Sequence, residues 1–122
     1  MTYHVNNYIG GISCPKKTLE YAAQYRGKSE MHGLTDISPV GMAAAMHLGL
    51  AIHNFGIPEY ITHGAKADAT FKQSFTFVDG MLHPGDKPGL GVELNFDEAG
   101  KYPDERAYLP CNRLADGTVQ DW

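Results

Sequence analysis

An α/β fold built on a parallel sheet is what the 122 residues predict, and three observations lead to it. Short runs of β-forming residues alternate with helical patterns in the order β-α-β-α-β across residues 1–60, the arrangement produced by crossover helices between parallel strands. Ser38-Pro39 opens a long apolar segment, joining a side-chain cap to a proline at the first helical position. Beyond residue 60 the alternation stops, and Asp79-Gly80 stands between β-formers, which predicts an antiparallel hairpin with a type I′ turn. Three short parallel strands leave two sheet edges unpaired, and such sheets are covered by helices on both faces or closed into a barrel. A complete (β/α)₈ barrel takes about 250 residues. The chain therefore reads as the C-terminal portion of a (β/α)-barrel, followed by a β-hairpin and an irregular tail.

Each element has its own signals. Thr2 to Ile9, with Tyr3, Val5, Tyr8 and Ile9, reads as a strand ended by Gly10-Gly11. Ser13-Cys14-Pro15 opens a helix, with Ser13 or Cys14 near the cap, Leu19-Ala22-Ala23 on its apolar face and Gly27 as its C-cap. Lys28 to Met31 is a brief strand ended by His32-Gly33. The helix from Pro39 runs through Met42, Ala43-Ala44-Ala45, Met46, Leu48, Leu50 and Ile52 and is apolar nearly all round, so it is expected to be buried on more than one side. Phe55 to Tyr60 supplies the next strand. Gly64 to Ser74 is polar and poorly patterned and reads as a loop or a frayed helical turn. Phe75 to His83 is the hairpin, Pro84 to Gly91 a stiff connection, Val92 to Leu94 one more strand and Asp97 to Lys101 a short helix. Arg106 to Trp122 is irregular, with a turn at Asp116-Gly117. No linker divides the chain, so residues 1–122 read as one incomplete domain: a barrel segment over 1–60, then a hairpin and tail over 61–122.

A net charge of −4 and the absence of a basic cluster longer than Lys16-Lys17 argue against nucleic acid and anionic membranes as partners. No apolar run approaches the roughly 20 residues of a membrane span. The first residues, Met1 to Val5, show no basic and apolar regions of a signal peptide. Cys14 and Cys111 lie far apart and match no metal spacing, so a cytoplasmic setting is expected. Six histidines form no zinc signature, and His47 and His53, six residues apart, point to different faces of a helix.

The chemistry concentrates in one stretch. His32 ends one strand, Asp36 lies in the loop that follows, and Glu59 ends the next strand. In parallel α/β sheets, residues at the carboxyl ends of neighbouring strands converge on one crevice. Each has a plainer alternative: His32 as a hydrogen-bonding surface residue, Asp36 as an outer helix cap. Glu59, in an apolar strand, needs a partner or a purpose.

Several segments together resemble one protein family. They are Ile9-Gly-Gly-Ile12, His32-Gly-x-Thr-Asp36-Ile-Ser-Pro-Val-Gly41, His53-Asn-Phe-Gly-Ile-x-Glu59-Tyr60, Asp79-Gly-x-x-His83-Pro-Gly-Asp-x-Pro-Gly-Leu-Gly91, Lys101-Tyr-Pro103, Arg106-Ala-Tyr-Leu-Pro110 and Asn112 through Trp122. The chain resembles the C-terminal part of the enolase superfamily, in its mannonate dehydratase-like branch, with D-mannonate and D-gluconate dehydratases and the starvation-sensing proteins. The resemblance implies that residues 1–60 are the sixth to eighth barrel strands with their helices. It also implies a sugar-acid substrate bound to Mg²⁺, removal of the proton α to the carboxylate, and loss of a β hydroxyl as water. Of the family's pocket, His32 matches a group that hydrogen-bonds or protonates substrate oxygens, Asp36 and Glu59 groups that bind hydroxyls or orient the histidine, and Trp122 a wall. The family's metal-binding carboxylates and its tyrosine and histidine bases lie upstream of the matched strands, and Tyr3 and His4 stand where an arginine is expected. The chain alone is therefore expected to bind no Mg²⁺ and to be inactive. Its expected partners are the N-terminal barrel part or further copies of itself. The alternative is a non-catalytic remnant that binds a partner through its open sheet edges.

Overall fold

A computed structural model of the protein describes residues 2–5, 11–33, 37–105 and 113–118. Strand β1 (Thr2–Val5), helix α1 (Ser13–Ala23), strand β2 (Lys28–Met31), helix α2 (Pro39–Ala51) and strand β3 (Phe55–Pro58) follow in the predicted order. The three strands form one parallel sheet in the order β1-β2-β3, with His4 opposite Glu30 and Met31 opposite Pro58. Of the expected first strand, residues 6–9 lie outside the described residues.

Helix α1 starts with Ser13 next to the N-cap, as expected; the cap itself is Ile12, which offers no side-chain acceptor. At the other end the Arg26 amide donates to the Ala23 carbonyl and the Gly27 amide to the Ala22 carbonyl, the paired bonds of a Schellman motif. The left-handed residue there is Arg26, at φ 57°, and not Gly27. Helix α2 starts as predicted: the Ser38 hydroxyl accepts from the Gly41 amide, and Pro39 takes the first position.

Two apolar clusters meet on α2. Leu19, Met31, Ala45 and Leu48, with Ile52 against them, seal α1 and α2 onto the sheet. Met42, Ala43, Met46 and Phe75, with Tyr60, Leu82, Leu90 and Val92, join the other side of α2 to the second half of the chain. This double burial is why the helix is apolar nearly all round.

Residues 64–74 are more ordered than a loop or frayed turn. They form helix α3 (Ala65–Thr70) and strand β4 (Phe71–Gln73), the latter paired antiparallel with β7 (Val92–Leu94). A three-residue strand carries no periodic signal of its own; its existence depends on a partner about twenty residues downstream. The hairpin is as expected, with β5 (Thr76–Val78) and β6 (Met81–His83) antiparallel and both Asp79 (φ 50°) and Gly80 (φ 78°) left-handed, as a type I′ turn requires. The last helix, α4 (Phe96–Ala99), starts before Asp97 because the Asn95 side chain caps the Glu98 amide at 3.2 Å. At the end of the chain Asp116-Gly117 forms a turn, with the Gly117 amide bonded to the Leu114 carbonyl.

Candidate functional site

The site begins with the ladder between β2 and β3. The Glu59 amide donates to the Met31 carbonyl at 2.8 Å, carrying the parallel pairing one residue past the end of β3. His32 and Glu59 therefore emerge side by side at the carboxyl end of the sheet. His32 Nδ1 lies 2.9 Å from Glu59 Oε2, and the Gly33 amide donates to the same oxygen at 3.4 Å. Gly33 is required by this crossing, because a Cβ there would fall 1.9 Å from the Glu59 carbonyl oxygen.

The pair has a defined chemistry. A carboxylate accepts, so Nδ1 of His32 carries the proton it shares with Glu59, and the chemistry of the ring is directed to Nε2. Glu59 fixes the plane of the imidazole. The imidazole side chain is 22% exposed and the carboxylate 41%, so the ring is held in a partly covered setting while the carboxylate still faces water. Next to Glu59, Tyr60 packs on Phe75 and Phe77. That burial, and secondarily the charge of Asp68, raises its phenol above the ordinary 10.0, keeping it neutral beside the site.

Of the four residues expected in the pocket, the structure brings His32 and Glu59 together. Asp36 and Trp122 lie outside the described residues. One contact escaped the sequence: His63, five positions past Pro58, reaches back to the Ile37 carbonyl with Nε2 at 2.6 Å. Nothing local marks it, since its partner is 26 residues away. Among the described residues no group of three or more His, Cys, Asp or Glu side chains is placed to hold a metal ion. Magnesium takes near-octahedral oxygen ligands, and one histidine bonded to one carboxylate does not fit it.

The family model described as Enolase C-terminal domain-like matches residues 6–99. The chain belongs to this family. Among curated relatives, the chain is 59% identical over 117 residues to a D-galactonate dehydratase family member of Pseudarthrobacter chlorophenolicus, covering 96% of this chain and 29% of the relative. It is 53% identical over 115 residues to a D-mannonate dehydratase of Caulobacter vibrioides, covering 94% and 28%. Among solved structures it is similar to an enolase from Pantoea ananatis with bound D-gluconate and magnesium, with a TM-score of 0.76, 37% identity, and coverage of 81% of this chain and 24% of that one. The chain thus spans 28–29% of the length of the curated relatives it matches. No helix among the described residues is long and apolar enough to cross a membrane.

Proposed function

We propose that this chain forms one side of the substrate site of a sugar-acid dehydratase, as the sixth to eighth strands of a (β/α)-barrel and the hairpin and tail that follow. The observation that carries the reading is the His32–Glu59 pair, 2.9 Å apart at the carboxyl ends of adjacent parallel strands, where such folds place their chemistry. Relatives named as D-mannonate dehydratases and a neighbour holding D-gluconate support the choice of a sugar acid. In this reading His32 donates a proton to the hydroxyl leaving the β carbon, so that it departs as water. Glu59 holds the ring and neutralises its charge. Asp36 binds substrate hydroxyls, Trp122 walls the pocket, and residues 1–122 act as one incomplete domain. The magnesium and the base that takes the α proton belong to other parts of the complete enzyme, and this chain alone is inactive and binds no magnesium.

The test is to graft residues 1–122 in place of the matched segment of the Caulobacter vibrioides D-mannonate dehydratase and measure loss of water from D-mannonate and D-gluconate. The graft is expected to be active, and His32→Asn to lower turnover by about 10²-fold or more, the ordinary contribution of a positioned general acid. Unchanged turnover in His32→Asn removes His32 from the mechanism.

A second reading, a partner-binding chain of the same fold, has one observation in its favour. Met46, Leu50, Phe55, Ile57, Phe77 and Met81 line an apolar cleft of about 300 Å³, and Leu50, Ile57 and Met81 are 60–66% exposed. Sedimentation and far-UV CD of the purified chain separate the two readings: the open sheet edges of a fragment lead to aggregation or instability, and a monomeric, cooperatively folding chain favours the second.

A further inference from the structure

Residues on the C-terminal side of β2 meet the segment after β3 at two places. At the near end Glu59 holds the His32 ring and the Gly33 amide. At the far end His63 Nε2 lies 2.6 Å from the carbonyl oxygen of Ile37. A carbonyl oxygen only accepts, so the proton of the neutral His63 ring sits on Nε2. The point it grips is firm: Ile37 is buried, its side chain lies where a Cβ on Gly41 would fall, and Ser38 behind it caps α2. The other ring nitrogen of His63, Nδ1, is buried with no hydrogen-bond partner among the described residues. Burying an unpaired polar atom is unfavourable. A leucine fills the same space without that cost; what it does not supply is the donor.

We propose that His63 is a positioning residue for the His32–Glu59 pair. By donating to the Ile37 carbonyl it holds Ile37, beside the capped start of α2, to the segment after β3, and so fixes how the His32 imidazole meets the substrate. The tie itself stands on geometry; its effect on turnover rests on the sugar-acid reading above. Small displacements of a group that acts on the reacting atoms are expressed in the rate of the chemical step more than in binding.

The experiment compares His63→Leu and His63→Gln in the grafted enzyme, by hydrogen exchange followed by mass spectrometry and by steady-state kinetics. His63→Leu is expected to speed exchange of the Gly33 and Ile37 amides roughly fivefold, the scale of one lost hydrogen bond, with α1 and α2 unchanged. It is also expected to lower kcat about tenfold while KM stays within about twofold. His63→Gln, whose side-chain nitrogen also donates, restores both. If exchange is unchanged in His63→Leu, or if Gln behaves as Leu does, the proposal is overturned. Should His63→Leu loosen α1 and α2 as well, His63→Phe, which keeps the ring and removes the donor, takes its place under the same criteria. An inactive parent graft overturns the sugar-acid reading instead, and the exchange comparison alone then decides the tie.

Discussion

At Gly33 a Cβ would fall 1.9 Å from the Glu59 carbonyl oxygen and 3.2 Å from the Met42 sulfur, so backbone, the His32–Glu59 pair and α2 compete for one position. The obstacle is mostly backbone and yields little. Gly33→Ala in the grafted enzyme is predicted to destabilise it by about 2–3 kcal/mol, the upper part of the ordinary range for single substitutions, and to part His32 from Glu59. Urea unfolding with the activity assay checks both, and an unchanged midpoint contradicts the geometry. The same scale shows what a sequence conceals. Asn54 donates through Nδ2 to the Leu19 carbonyl at 2.9 Å and the Gly27 carbonyl at 3.0 Å, while its own carbonyl accepts from the Ser29 amide at 2.9 Å. One residue, through its side chain and its backbone carbonyl, thus ties α1 and β2 to the start of β3. Like the bond from His63 to Ile37, these contacts join positions far apart in the chain, and no local pattern announces them.

Among the elements, those specified by neighbouring residues were legible and those specified by distant partners were not. Ser38-Pro39 and Asp79-Gly80 carry their instructions within two residues, and the structure has a capped helix and a type I′ hairpin there. Strand β4 exists because β7 pairs with it, which no window over residues 64–74 contains. The end of α1 lies between these cases. Glycine was expected in the left-handed position and stands one residue later, so Arg26 takes φ 57°. A side chain in that region costs about 1–2 kcal/mol, and glycine returns about half of it in unfolded-state entropy. Arg26→Gly is therefore predicted to stabilise the fold by about 0.5–1 kcal/mol, read as a raised melting temperature of the grafted enzyme. A lowered one would mean that the arginine makes contacts outweighing its strain.

Across the whole molecule α2 is the common wall. Its Ala45 and Leu48 side closes on the sheet, and its Met42 and Met46 side on Phe75 and the hairpin. A helix used on two sides has little amphipathic contrast, which is how its sequence announced double burial without saying against what. The same wall sets the site: Met42 lies beneath the Gly33–Glu59 crossing. The pair His32–Glu59 was legible as two strand ends; its 2.9 Å contact needed the register of β2 and β3, which a sequence does not print. Family membership follows from the match over residues 6–99, and the function proposed for it turns on which way this pair faces. The most direct test is a crystal structure of the grafted enzyme with D-gluconate bound. His32 Nε2 is expected within hydrogen-bond distance, about 2.7–3.2 Å, of a substrate hydroxyl, with Nδ1 still on Glu59. A sugar acid bound with His32 and Glu59 out of reach of every one of its oxygens would contradict it.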